Sequence, residues 1–206
     1  MNSATRTATH AAVLAIMLAL AGCTEAAPTE PTAPARATPK ESVGAATMTV
    51  EEAGERYLSI VCEANVAIDE TSLASEVART AYLNNEEVDV APLTSGYARL
   101  LSLIELSAKE FANRDFIWPV EVATQIDTLR TGDIADFDHY QAIATATTYD
   151  EVLAAPEAQS TLEQDSAPQK IRFELGLSLD KEASCVGYEN ALTKLGEESG
   201  NLVYDE

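Results

Sequence analysis

Basic, imidazole and indole side chains are scarce in this chain of 206 residues. Thirteen Lys and Arg, two His and one Trp stand against 34 Asp and Glu, for a formal net charge of −21. Phosphate backbones are gripped by clustered Lys and Arg, so no nucleic-acid partner is expected. An acidic surface also repels anionic headgroups, so charge is not expected to hold the protein on a membrane. Signature loops are missing too: there is no G-x-S-x-G, no glycine-rich phosphate loop, no C-x-x-C and no H-E-x-x-H. Ser178 and Lys181 match S-x-x-K, and Ser199-Gly200-Asn201 mimics the motif that accompanies it in penicillin-interacting enzymes. The third motif of that set, K-T-G, is absent, and the match is set aside. The apolar run Ala11 to Ala21 falls well short of the ~20 residues that a membrane-spanning helix needs.

That short run has the length of a signal-peptide core, with Arg6 and His10 ahead of it. It closes on Leu20-Ala21-Gly22-Cys23, which resembles the lipobox of bacterial lipoproteins. The resemblance implies that residues 1–22 are a signal peptide removed just before Cys23. Cys23 then carries a diacylglyceryl group, with acyl chains of the palmitate type, as the mature N-terminus. Two acyl chains on one residue suffice for stable anchoring, so the expected address is the extracytoplasmic face of the cell membrane. Residues 23–46 follow, with Pro28, Pro31, Pro34 and Pro39 among Ala, Thr and Glu and no apolar periodicity. A disordered, semi-extended tether is expected there, reaching up to about 70 Å at roughly 3.1 Å per residue.

Residues 47–206 are enough for one domain with a core, and their apolar spacing is helical nearly throughout. Thr49 and Glu52 form a capping box ahead of a helix predicted to end near Asp69. Ser72 is then expected to cap a shorter helix that stops at Asn84-Asn85, with 86–89 as loop. The broadest apolar stripe spans about 95–113, predicting a central helix whose Glu105–Lys109 and Glu110–Arg114 pairs decorate its outer side. Trp118-Pro119 should open the next helix, with Ile117 stapled on Val122 and Gly132 as the stop. Asp133 and Asp136 have the spacing of a cap before a helix through Tyr140 and Ile143, and Thr148 and Glu151 repeat it. The last confident helix is expected from Pro168 to Leu175, closed by Gly176 and Leu177. Beyond Cys185 the pattern weakens and fraying is expected.

With Cys23 given to lipid, Cys62 and Cys185 remain as an even pair in an exported chain, and a disulfide between them is expected. The closest approach to a metal site is Asp133, Asp136 and His139, because Asp136 and His139 can share one helical face. Helix capping is the stronger account of Asp133 and Asp136, and neither a metal nor a cofactor is expected. Glu51, Glu52, Glu55 and Glu63 look like a solvated face of the first helix.

Tyr57 through Cys62 with Asn65, then Trp118-Pro119, then Arg172 through Leu177 before Cys185, together resemble helical lipoproteins of high-GC Gram-positive bacteria. That resemblance covers most of the domain and implies a fold without an activity. The expectation is an all-α, irregular helical bundle stapled by one disulfide, acting as a non-catalytic binding or accessory module at the cell envelope. Its expected partners are the membrane, through Cys23, and either another envelope protein or a small ligand. The competing expectation is an envelope hydrolase or metal-dependent enzyme built on His139 and its neighbouring aspartates.

Overall fold

Helix α1, Val50–Leu83, sets the frame of the domain in the computed structural model, which describes residues 45–200. The signal peptide, Cys23 and nearly all of the expected tether lie outside the described residues. The Thr49–Glu52 capping box is formed: the Thr49 amide donates to Glu52 Oε2 at 2.8 Å and the Glu52 amide to Thr49 Oγ1 at 3.2 Å. The break expected near Asp69 does not occur, and α1 runs for 34 residues, about 51 Å at 1.5 Å per residue. No glycine or proline interrupts the junction, and the buried stripe Ala67, Thr71, Ala78 continues straight across it. Thr71 turns its hydroxyl back to the Ala67 carbonyl at 2.6 Å, while Ser72 sits exposed in mid-helix and caps nothing. The expected end is correct. Asn85 adopts φ 57°, and Glu86 N–H reaches back to the Ala81 carbonyl at 2.9 Å.

Helix α2, Ala91–Phe111, is central as expected and packs on α1 and on three later helices, Val120–Ala135, Phe137–Ala144 and Ala191–Ser199. It begins earlier than its apolar stripe, because Asp89 accepts the Ala91 amide at 3.0 Å and Pro92 lies in the first turn. It crosses α1 at Gly96, where an added Cβ would lie 2.8 Å from Thr71 Oγ1. Glu110 does not decorate the exterior. It is fully buried and bonds to Arg56 of α1 and, at 2.6 Å, to the Ser199 hydroxyl.

Two short parallel strands, β1 (Ala46–Thr47) and β2 (Phe116–Ile117), bring the start of the described chain beside the end of α2. Ile117 is half exposed in β2, so the expected staple is replaced by Trp118, which is buried against Phe111 and Phe116. Helix α3, Val120–Ala135, continues past Gly132 instead of stopping there. The glycine is needed for close approach: an added Cβ would stand 2.8 Å from Gln164 Cβ across the helix interface. Helices α4 (Phe137–Ala144) and α5 (Tyr149–Leu153) follow, the latter capped by Thr148.

Helix α6, Leu162–Glu174, packs along α3 and starts before the expected Pro168. A second capping box, Thr161 with Gln164, begins it, leaving Pro168 inside. Its end follows the sequence: Gly176 at φ +66° and Leu177 N–H to the Arg172 carbonyl at 2.8 Å close a Schellman motif. After the single turn of α7, Lys181–Ser184, comes α8, Ala191–Ser199, where fraying was expected. Leu192 is fully buried, and Glu63 of α1 receives both the Thr193 amide at 2.9 Å and its hydroxyl at 2.7 Å. Glu63 is therefore a buried long-range cap for α8 and no part of a solvated face.

Cys62 and Cys185 form a disulfide, with 5.2 Å between their Cα atoms, that fastens the end of α7 to the middle of α1. Bridging a separation of 123 residues contributes on the order of 5 kcal/mol in the chain-entropy account. The domain is thus a helical bundle with a minimal two-stranded addition. No helix among the described residues is long and apolar enough to cross a membrane.

Candidate functional site

Of the three residues singled out as a metal set, the fold keeps Asp133 and Asp136 together and sets His139 apart from them. Asp136 occupies the single-residue joint between α3 and α4, and its side chain caps neither helix. Its Oδ1 instead accepts the amides of Gln159 at 2.6 Å and Ser160 at 2.8 Å, clipping the 154–161 connection to the bundle. His139 performs a similar service from one turn further on: its Nδ1 meets the Pro156 carbonyl at 2.6 Å. The imidazole also packs edge-on to Tyr97 and beside Tyr140. Asp133 lies within the last turn of α3, near enough to Asp136 to feel its charge. Among the described residues, no group of three or more His, Cys, Asp or Glu is gathered closely enough to hold a metal ion.

What Asp133 faces is a cavity of about 390 Å³ between α1, α2, α3, α4 and α6. That falls within the usual ~300–1,000 Å³ range of small-molecule sites. Apolar walls come from Val61 and Ile68 of α1, Ile104 and Phe111 of α2, and Leu129 of α3. They exist because each helix turns its 3.6-residue stripe inward, while Gly132 admits α6 without filling the space. Polar groups converge on the same space: Tyr57, Asp133, Asp136, Tyr140, Asp165 and Arg172, with Lys181 beside them. His139 is not among the lining residues.

Electrostatically the cavity disfavours the charged forms of its own acidic groups. Burial, reinforced by the neighbouring Asp136, pushes the Asp133 carboxyl up to about 7 from an ordinary 3.8. Burial also raises Tyr140 to about 12, with Asp136, Asp133, Tyr97 and Asp165 adding in that order. Tyr57 is raised by burial against the opposing pull of Arg172. Both hydroxyls therefore stay protonated at neutral pH and present donors to the space between them.

The two cations at the cavity are already engaged. Arg172 is buried, donating to the Ser178 carbonyl at 3.1 Å and to the Ser184 hydroxyl, with its guanidinium 5.9 Å from the Tyr57 ring centre. Lys181 is held by Asp69 at 2.6 Å. Sequence patterns did not single out Tyr57, Tyr140, Arg172 or Lys181 as site residues. They come from four different elements and share no motif, and the one available signal was a polar residue placed on an otherwise apolar helical face. No protein-family model, curated protein or solved structure matches the chain.

Proposed function

We propose that this protein is a lipid-anchored, extracytoplasmic, non-catalytic module that binds a small organic molecule in the cavity beneath Asp133 and Tyr140. The lipobox Leu20-Ala21-Gly22-Cys23 supports the address, and the disulfide fits an oxidising compartment. The observation that carries the binding role is the cavity itself, with apolar walls and several polar groups converging from separate helices. A metal-dependent or hydrolytic role for His139 gains no support, because its Nδ1 is engaged by the Pro156 carbonyl and the residue does not line that space.

The test titrates the purified full chain with the neutral dye N-phenyl-naphthylamine, alongside a variant in which Ala64→Phe fills part of the cavity. Saturable fluorescence enhancement in the parent, weakened severalfold in the variant, is expected, with melting temperatures recorded to show that both are folded. No saturable enhancement in the parent overturns the binding role. For the address, Cys23→Ala should move the protein from the membrane pellet to the soluble fraction; retention in the pellet overturns lipid anchoring.

A further inference from the structure

The lining of the cavity also specifies a charge. Lys181 is paired with Asp69, whereas Arg172 is hydrogen-bonded to the neutral Ser178 carbonyl and Ser184 hydroxyl and keeps its charge. The three lining carboxylates of Asp133, Asp136 and Asp165 outnumber that one cation. Asp136 spends one oxygen on two backbone amides, and among the described residues neither Asp133 nor Asp165 is paired with a cation. Asp133 is held on α3 and Asp165 in the first turn of α6, and both line the cavity together with Tyr140. These carboxylates ring one pocket, yet they are too dispersed to enclose a single metal ion. A ligand that satisfies them must carry its positive charge on a larger body. The surrounding Ile104, Leu129 and Phe111 offer that body apolar contact and no hydrogen bonds.

We propose that the cavity takes an organic ammonium ion, an amine bearing an apolar alkyl or aryl group. Its nitrogen lies against Asp133 and Tyr140, and its hydrocarbon lies on Ile104, Leu129 and Phe111. An anionic ligand of the same shape meets unbalanced carboxylates instead and is rejected, so selectivity comes from repulsion as well as attraction. Asp165, exposed at the rim, adds a longer-range pull on an approaching cation. This proposal rests on the cavity being a ligand site, as put forward above.

Three probes of matched skeleton separate the two ideas: phenylbutylammonium, phenylbutanol and phenylbutyrate, titrated calorimetrically into the full chain at about pH 8, where Asp133 is ionised. The ammonium ion should bind about tenfold or more tighter than the alcohol, the scale of one charge-assisted hydrogen bond, and the carboxylate weakest of all. Asp133→Asn should erase most of the ammonium preference. Asp165→Asn, at an exposed position that folding tolerates, should reduce it severalfold, whereas Asp138→Asn, which does not line the cavity, should leave it unchanged. Equal binding of the three probes, or preference for the carboxylate, overturns the charge assignment and leaves the cavity as a ligand site. Binding of none of them overturns both.

Discussion

Replacing Asp133 by Asn should make the protein more stable at alkaline pH and change little in acid. The folded state holds this carboxyl at about 7, whereas the unfolded chain releases its proton near 3.8. Between those values the folded state binds more protons than the unfolded one, so stability falls as pH rises through the window and levels off above it. Three pH units at 1.36 kcal/mol each set a ceiling of about 4 kcal/mol for ionising Asp133 in place. The side chain retains some solvent contact through the cavity, which brings the expected figure to about 2 kcal/mol. The other charged and titratable groups around the cavity are Asp136, Tyr140, Asp165, Tyr57, Arg172 and Lys181, and Asp136 gains from the loss of a like charge. Urea unfolding with the disulfide intact reads the difference directly. At about pH 8 the midpoint of Asp133→Asn should lie roughly 1 M above that of the parent, and the gap should close toward about pH 4. A gap that stays constant across that range would mean that Asp133 titrates as an ordinary surface carboxyl, and the electrostatic description of the cavity would fail.

Two further substitutions probe the frame that holds the cavity open. Gly132→Ala should destabilise the protein by about 1–3 kcal/mol even though alanine gains about 1 kcal/mol of helix propensity, because the new methyl collides with Gln164; a melting temperature unchanged or raised would refute the close approach. Glu63→Ala strips the N-terminus of α8 of its buried acceptor and should cost about 2–3 kcal/mol. Amide exchange should then accelerate selectively across residues 191–196, and uniform protection there would show that α8 is held by Leu192 alone.

Local signals were legible in the sequence wherever partner residues lie within a turn of each other. The Thr49–Glu52 box, the Asn84-Asn85 stop and the Gly176-Leu177 closure each need only a few neighbouring residues, and each formed as expected. The disulfide was legible for a different reason, since elimination left only two thiols. Signals misled where packing competes with a local pattern. Gly132 carries the mark of a helix stop, yet the crossing with α6 uses its missing side chain. Asp133 and Asp136 carry the mark of a cap, yet one faces the cavity and the other fastens a loop 23 and 24 residues away. Glu63 resembled its solvated neighbours on α1 because the amide it serves lies 130 residues further along. The cavity was illegible altogether, because its walls come from five helices whose relative placement no single segment encodes.

The bridge between Cys62 and Cys185 turns most of the domain into a closed ring. Any single cut in the chain between those positions, for instance by a protease acting on the irregular stretch 154–161, opens the ring without releasing a fragment. A nicked molecule would migrate as one species until a thiol reagent is added, and then as two. Damage to this protein can therefore accumulate, for as long as the bridge is oxidised, with every residue that lines the cavity still covalently attached.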